Sequence, residues 1–129
     1  MEIVCRAFHG LASGGVDAAA EYWNPEINWR AIEGAPDDVG EMQGIDAARR
    51  FVQDWYDVFD DVASEIEEVL DIGDDQVIAV IHNKGRAKRS GIPTELRYAA
   101  LHTIWDGKIA RVREYATRAE ALQAAGLAE

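Results

Sequence analysis

The chain has 129 residues, 48% of them hydrophobic and 29% charged, with a net charge of −11 and a sequence pI near 4.6. That length points to one domain over residues 1–129, able to bury a sizeable core. So acidic a surface repels phosphate backbones and anionic lipid, which argues against nucleic-acid and membrane partners. The one cysteine, Cys5, can form no internal disulfide. No apolar run approaches the roughly 18 residues of a membrane span, and the acidic, amphipathic N-terminus is unlike a secretory leader. The expectation is a cytoplasmic protein.

Taken in chain order, Ile3, Val4, Ala7, Phe8 and Leu11 recur at helical spacing, and the predicted helix over 2–12 stops at "SGG". "VDAAAEYW" predicts a second short helix, ended by Asn24-Pro25. "EINWRA" alternates Ile27 and Trp29 with polar neighbours, as a strand does. The polar, glycine-rich stretch 33–44 reads as a loop, a possible lid. Residues 45–62 carry an apolar stripe of Ile45, Ala48, Phe51, Val52, Trp55, Phe59 and Val62, which predicts a long amphipathic helix. Strands follow in "SEIEEVLDIGDD", "QVIAVIHNKGRAKRSG", "PTELRYAALHTIWDG" and "KIARVREYA", with Asp106-Gly107 as a hairpin turn. A short amphipathic helix over 117–127 closes the chain. Helices first and long antiparallel strands after give an α+β fold, with helices packed on one face of a curved sheet.

Strand alternation then sorts the side chains. Arg111 and Arg113 mark an outer face of the last strand, so Val112, Glu114 and Ala116 point inward. Arg97 and Thr103 do the same for the strand before, which turns Tyr98, Ala100, His102 and Ile104 inward. In the long strand Lys84, Arg86 and Lys88 share the outer face with His82, and Val77, Ala79, Ile81 and Asn83 point in. The inner face thus gathers His102, Glu114, Tyr98 and Asn83 among apolar residues. Ala79, Ala100 and Ala116 leave room there. Phe51, Trp55 and Phe59 of the long helix would lie across the sheet, and Trp29 would close one end. An aromatic recess with a few polar groups is what a small-molecule site looks like.

Three stretches carry a family resemblance over nearly the whole chain: "IVCRAFHGLASGGVDAAAEYWNPEINWRA", "GIDAARRFVQDWYDVF" and "TIWDGKIARVREYATRAEALQAAGL". In their order and spacing the sequence resembles the SnoaL-like, ketosteroid-isomerase-like branch of the NTF2-like superfamily. The resemblance implies a cone-shaped curved sheet around helices, a pocket at the wide end, and a homodimer joined through the outer sheet face. It also implies several residues ahead of "EIV", so that this chain begins slightly short. It does not imply one reaction, because the family includes isomerases, cyclases, dehydratases, hydrolases and non-catalytic binders. The isomerase's proton-shuttling carboxylate, oxyanion tyrosine and neutral acid align at Ala31, Ala7 and Ala100, so that activity is not expected. The cyclases place a histidine near Ala100, and here His102 lies two residues along the same face.

Two readings follow. In the first, His102 and Glu114, hydrogen-bonded if their strands are in register, form an acid/base pair acting on a small apolar carbonyl-bearing substrate. Tyr98 would orient the substrate, while Trp29, Trp55, Phe59, Asn83 and Val112 would contact it, and no cofactor is called for. In the second, the same residues form a satisfied polar pair and plain walls in a binding or dimeric scaffold domain. Trp105, before the hairpin turn, reads as outward and suited to a dimer contact. His9 and His82 read as outward, and Cys5 as packed along its helix. No metal-ligand spacing, calcium loop, phosphate loop or dinucleotide fingerprint is present. "KGRAKR" reads as a solvated strand face.

Overall fold

The computed structural model describes residues 2–32 and 40–127. Among these, three helices accompany one six-stranded sheet, in the order α1 (Glu2–Ala20), β1 (Trp23–Arg30), β2 (Glu41–Gln43), α2 (Ile45–Asp57), β3 (Phe59–Gly73), β4 (Gln76–Ala87), β5 (Pro93–Trp105), β6 (Lys108–Tyr115) and α3 (Arg118–Ala124). The sheet order is β2-β1-β6-β5-β4-β3. The expected α+β class holds, with one change of pairing: β1 runs parallel to β6, and the other neighbours are antiparallel.

The two short N-terminal helices are the arms of α1, which kinks at Gly15 (φ 80°, ψ −169°). Only glycine enters that backbone region without strain. The second arm ends at Ala20, and Trp23, expected in the helix, opens β1 instead. Gly10 lets the arms approach closely, since a Cβ there would lie 3.2 Å from the Ala18 carbonyl. Part of the expected 33–44 loop is strand: Met42 of β2 sits opposite Trp29. The lid expectation otherwise falls on residues 33–39, outside the described residues.

The long helix is shorter than its apolar stripe. It stops at Asp57, and Phe59 and Val62 belong to β3, where Phe59 pairs with Ala87. Lys88 N–H donates to Val58 O beside this start. A helical spacing that runs on by chance into a strand cannot be distinguished locally; the backbone of β4 supplies the partner that decides it. The β3–β4 ladder shifts register at three places along β3, and such bulges bend and twist a strand. They curve the sheet around α1 and α2. The hairpin turns are tight: Asp74 and Asp75 (φ 54° and 59°) join β3 to β4, and Asp106 and Gly107 (φ 54° and 75°) join β5 to β6. Both match two-residue turns with left-handed residues.

The concave face carries the main core. Val4, Ile27, Val77, Ile81, Ile109 and Val112 are all buried at 2% exposure or less. Burying each such side chain stabilises by about 1.5–3 kcal/mol. The convex face is not the wholly charged surface expected from the arginines. Ile78, Ala99 and Leu101 form a second core under Ala121 and Leu122 of α3. The side chains of Ile78 and Leu101 alternate with those of Val77 and His102, so both faces of these strands are dry at this point. His82 lies on the outer face as expected but is buried there. Its Nε2 meets Glu95 and its Nδ1 lies 3.9 Å from Glu67, which also accepts from Arg97. Cys5 is exposed instead of packed, Ala116 is exposed beyond the end of β6, and Trp105 is exposed as expected.

Candidate functional site

The concave face of the sheet, α1 and α2 leave a recess of about 420 Å³ between them. Ala7, Phe8 and Leu11 of α1 and Phe51, Val52, Trp55 and Tyr56 of α2 form its helical wall. Inward residues of the strands form the other wall: Trp23 and Trp29 of β1, Ile81 and Asn83 of β4, Leu96, Tyr98, Ala100 and His102 of β5, and Ile109, Val112 and Glu114 of β6. Phe59 and Ser64 of β3 border it too, with Ala19, Ile32 and Val58. The eight residues expected to act on or contact a ligand border this one cavity: His102, Glu114, Tyr98, Trp29, Trp55, Phe59, Asn83 and Val112. Phe59 arrives there from β3 and not from the helix. Its ring lies 4.8 Å from that of Trp55, and the rings of Trp23 and Trp29 meet edge to face at 5.3 Å.

His102 and Glu114 are not opposite one another. In the β5–β6 ladder His102 faces Val112, and Glu114 faces Ala100. The two are diagonal neighbours on one face, at about 7 Å between their backbone positions. The in-register pair is thus replaced by two separate polar groups, each with its own partner. Trp29 lies beside Val112 in the parallel β1–β6 ladder. From there its indole Nε1 donates to Glu114 Oε2 at 3.3 Å.

His102 is 3% exposed. Its Nδ1 donates to Val77 O at 3.3 Å, and Phe8 packs edge-on at 6.4 Å between ring centroids. Because the carbonyl can only accept, Nδ1 carries the hydrogen and the neutral ring presents Nε2 as an acceptor. Burial pushes the His102 pKa down to about 4, against the pull of the Val77 and Ala100 carbonyls. With Glu114 out of register, the apolar walls decide the direction.

Reasoning from the sequence missed Tyr56 and Ser64, whose hydroxyl oxygens lie 3.2 Å apart in the cavity wall. Ser64 sits directly opposite Asn83 in the β3–β4 ladder. The signal was the alternation of Asn83 itself: extended to its β3 neighbour, it finds Ser64. Among the described residues no group of three or more His, Cys, Asp or Glu could hold a metal ion.

A curved sheet wrapped on two helices around an aromatic recess defines an α+β cone of the NTF2-like kind. The family model described as "SnoaL-like domain" matches residues 4–112, and the chain belongs to that family. An NTF2-like protein of Burkholderia thailandensis is 25% identical, with a TM-score of 0.79 and 95% of each chain covered. A protein of ketosteroid-isomerase-like fold from Catenulispora acidiphila, in complex with trimethylamine, is 17% identical, with a TM-score of 0.74 over 98% of this chain and 93% of that one. A Mycobacterium tuberculosis protein in complex with estradiol-17β-hemisuccinate is 12% identical, with a TM-score of 0.75 over 90% of this chain and 92% of that one. These likenesses establish the fold. No curated protein matches the sequence. No described helix is long and apolar enough to cross a membrane.

Proposed function

We propose that the chain is a small-molecule pocket protein whose ligand is largely apolar and bears a carbonyl or similar polar group. The observation that carries this is the recess of about 420 Å³, walled by Trp23, Trp29, Phe51, Trp55, Phe59 and Tyr98 with few polar side chains among them. That size and lining suit a small organic ligand. Lys and Arg are absent from the described lining, so a carboxylate or phosphate would enter without a counter-charge. Neutral ligands fit this environment, and Glu114 also suits cationic ones. The trimethylamine and estradiol-hemisuccinate complexes of the structural neighbours show related cones taking small organic molecules.

A second reading, acid/base chemistry on that ligand, is favoured by the Trp29–Glu114 contact. A carboxylate held by an indole N–H inside an apolar recess is a placed proton acceptor. His102, neutral near pH 7, serves as a hydrogen-bonding group and not as the base, and Tyr98 orients the carbonyl. Such chemistry needs proton carriers and oriented donors, with no bound cofactor. The proposal extends to a cytoplasmic homodimer joined through the outer sheet face, with Trp105, 70% exposed, at its edge.

Native mass spectrometry of the purified chain, followed by release and identification of any retained molecule, tests the pocket. Retention of an apolar small molecule, lost on Trp29→Ala, is expected; a chain that binds no apolar compound from a broad panel overturns the reading. Glu114→Gln then separates the two readings: it abolishes turnover of the identified ligand if the chain is an enzyme, and a neutral ligand is still retained in either case.

A further inference from the structure

One end of the recess holds a group of polar atoms that the acid/base reading does not use. Asn83 is 7% exposed and lines the cavity, yet its Oδ1 is buried without a hydrogen-bond partner among the described residues. A buried amide oxygen left unpaired is costly, by about 1–3 kcal/mol. Native structures seldom leave one so unless something absent completes it. Ser64 faces Asn83 across the β3–β4 ladder, and Tyr56 of α2 reaches Ser64 with its hydroxyl at 3.2 Å. Two hydroxyls sharing one hydrogen bond keep one O–H to give and lone pairs to receive. Beside them the amide, whose two ends are interchangeable by rotation, can present either character.

We infer that Tyr56, Ser64 and Asn83 form a second polar subsite, which binds an uncharged hydrogen-bonding group at the far end of an elongated ligand. This rests on the reading of the recess as a ligand pocket and adds the shape and polarity of what fills it. Asn83 is four residues along β4 from Ala79, which stands beside Ala100 and so in the row of Glu114. Four residues of strand span about 13 Å. The wall between is mostly apolar, with Ile81, Ala100 and the ring of Tyr98 facing in. A single small polar fragment cannot satisfy both ends. The matching class is an elongated, mostly hydrocarbon molecule with a hydroxyl, carbonyl or amide at each end. The end at Asn83 is neutral, since its cross-strand neighbours Ser64 and Leu96 bring no charge.

The test uses two rigid probes that differ only in the second polar end, trans-4-hydroxystilbene and trans-4,4′-dihydroxystilbene. Affinities come from isothermal titration calorimetry and from quenching of tryptophan fluorescence. The expected result is that the wild-type chain binds the dihydroxy probe about tenfold more tightly, the ratio one added hydrogen bond supplies. In Asn83→Leu that ratio falls to about one, and Ser64→Ala and Tyr56→Phe each lower it partway. The two milder variants keep the test sound should Asn83→Leu unfold. Equal affinities in the wild type, or a tenfold ratio unchanged in all three variants, overturn the subsite while leaving the pocket standing. If neither probe binds while other apolar compounds of the panel do, the subsite falls and the pocket stands; if no compound of the panel binds, the pocket reading falls with it.

Discussion

The histidine buried in the cavity wall makes stability depend on pH in a direction opposite to that of an ion-paired histidine. His102 is 3% exposed, and its pKa is pushed down to about 4 by burial, from 6.5. Between those values the unfolded chain holds a proton that the folded chain refuses, so stability rises with pH across that window. Above pH 6.5 both states are neutral and the effect vanishes. Below pH 4 both are protonated and the full penalty, about 3 kcal/mol, applies. Moving from pH 7 to pH 5 costs about 2 kcal/mol through this one group. The perturbation is His102→Gln, which retains a polar side chain without titrating. Urea unfolding of both chains at pH 7 and pH 5 reads the difference of differences, so that the other titrating groups cancel. The wild type should lose about 2 kcal/mol more than the variant on that step. Parallel losses in the two proteins, or a His102 ring that titrates near 6.5 by NMR, would refute the reasoning.

Gly15→Ala puts a side chain where φ is 80° and ψ −169°, and should cost about 1–3 kcal/mol in urea unfolding with the recess unaltered. Ile78→Ala empties the core beneath α3 without touching the recess. It should lower stability by about 2–5 kcal/mol while the folded fraction still binds a stilbene probe in fluorescence titration.

Much of this was legible because alternation is strict within a regular strand. The face shared by Tyr98, Ala100 and His102 followed from Arg97 and Thr103 alone, and the same rule brought in Asn83 from the next strand. It fails where the ladder is irregular. Counting back from Val112 turns Ala110 inward and Ile109 outward. In the structure Thr103 pairs with Arg111 and Ile104 with Ile109, so Ala110 is a bulge and Ile109 is buried. The relative register of His102 and Glu114 was equally beyond reach, because that bulge sets it. The end of α2 was misplaced because Phe59 continues the helical spacing of Trp55, and only pairing with Ala87 shows it to be strand. The cover over Ile78 and Leu101 was missed for a different reason. Arg111 and Arg113 describe one part of the convex surface, while α3 folds back over another.

The parallel seam between β1 and β6 has a consequence for how the molecule is made. Trp29 and Glu114 touch across 85 residues of sequence, so the wall they form closes a very long loop. Contacts of that span are slow to form, since chain entropy must be lost before they reward it. On the ribosome, β1 emerges without its parallel neighbour until β6, the final strand, has been synthesised. The last side of the cavity, Ile109, Val112 and Glu114, is thus supplied only when β6 joins β1.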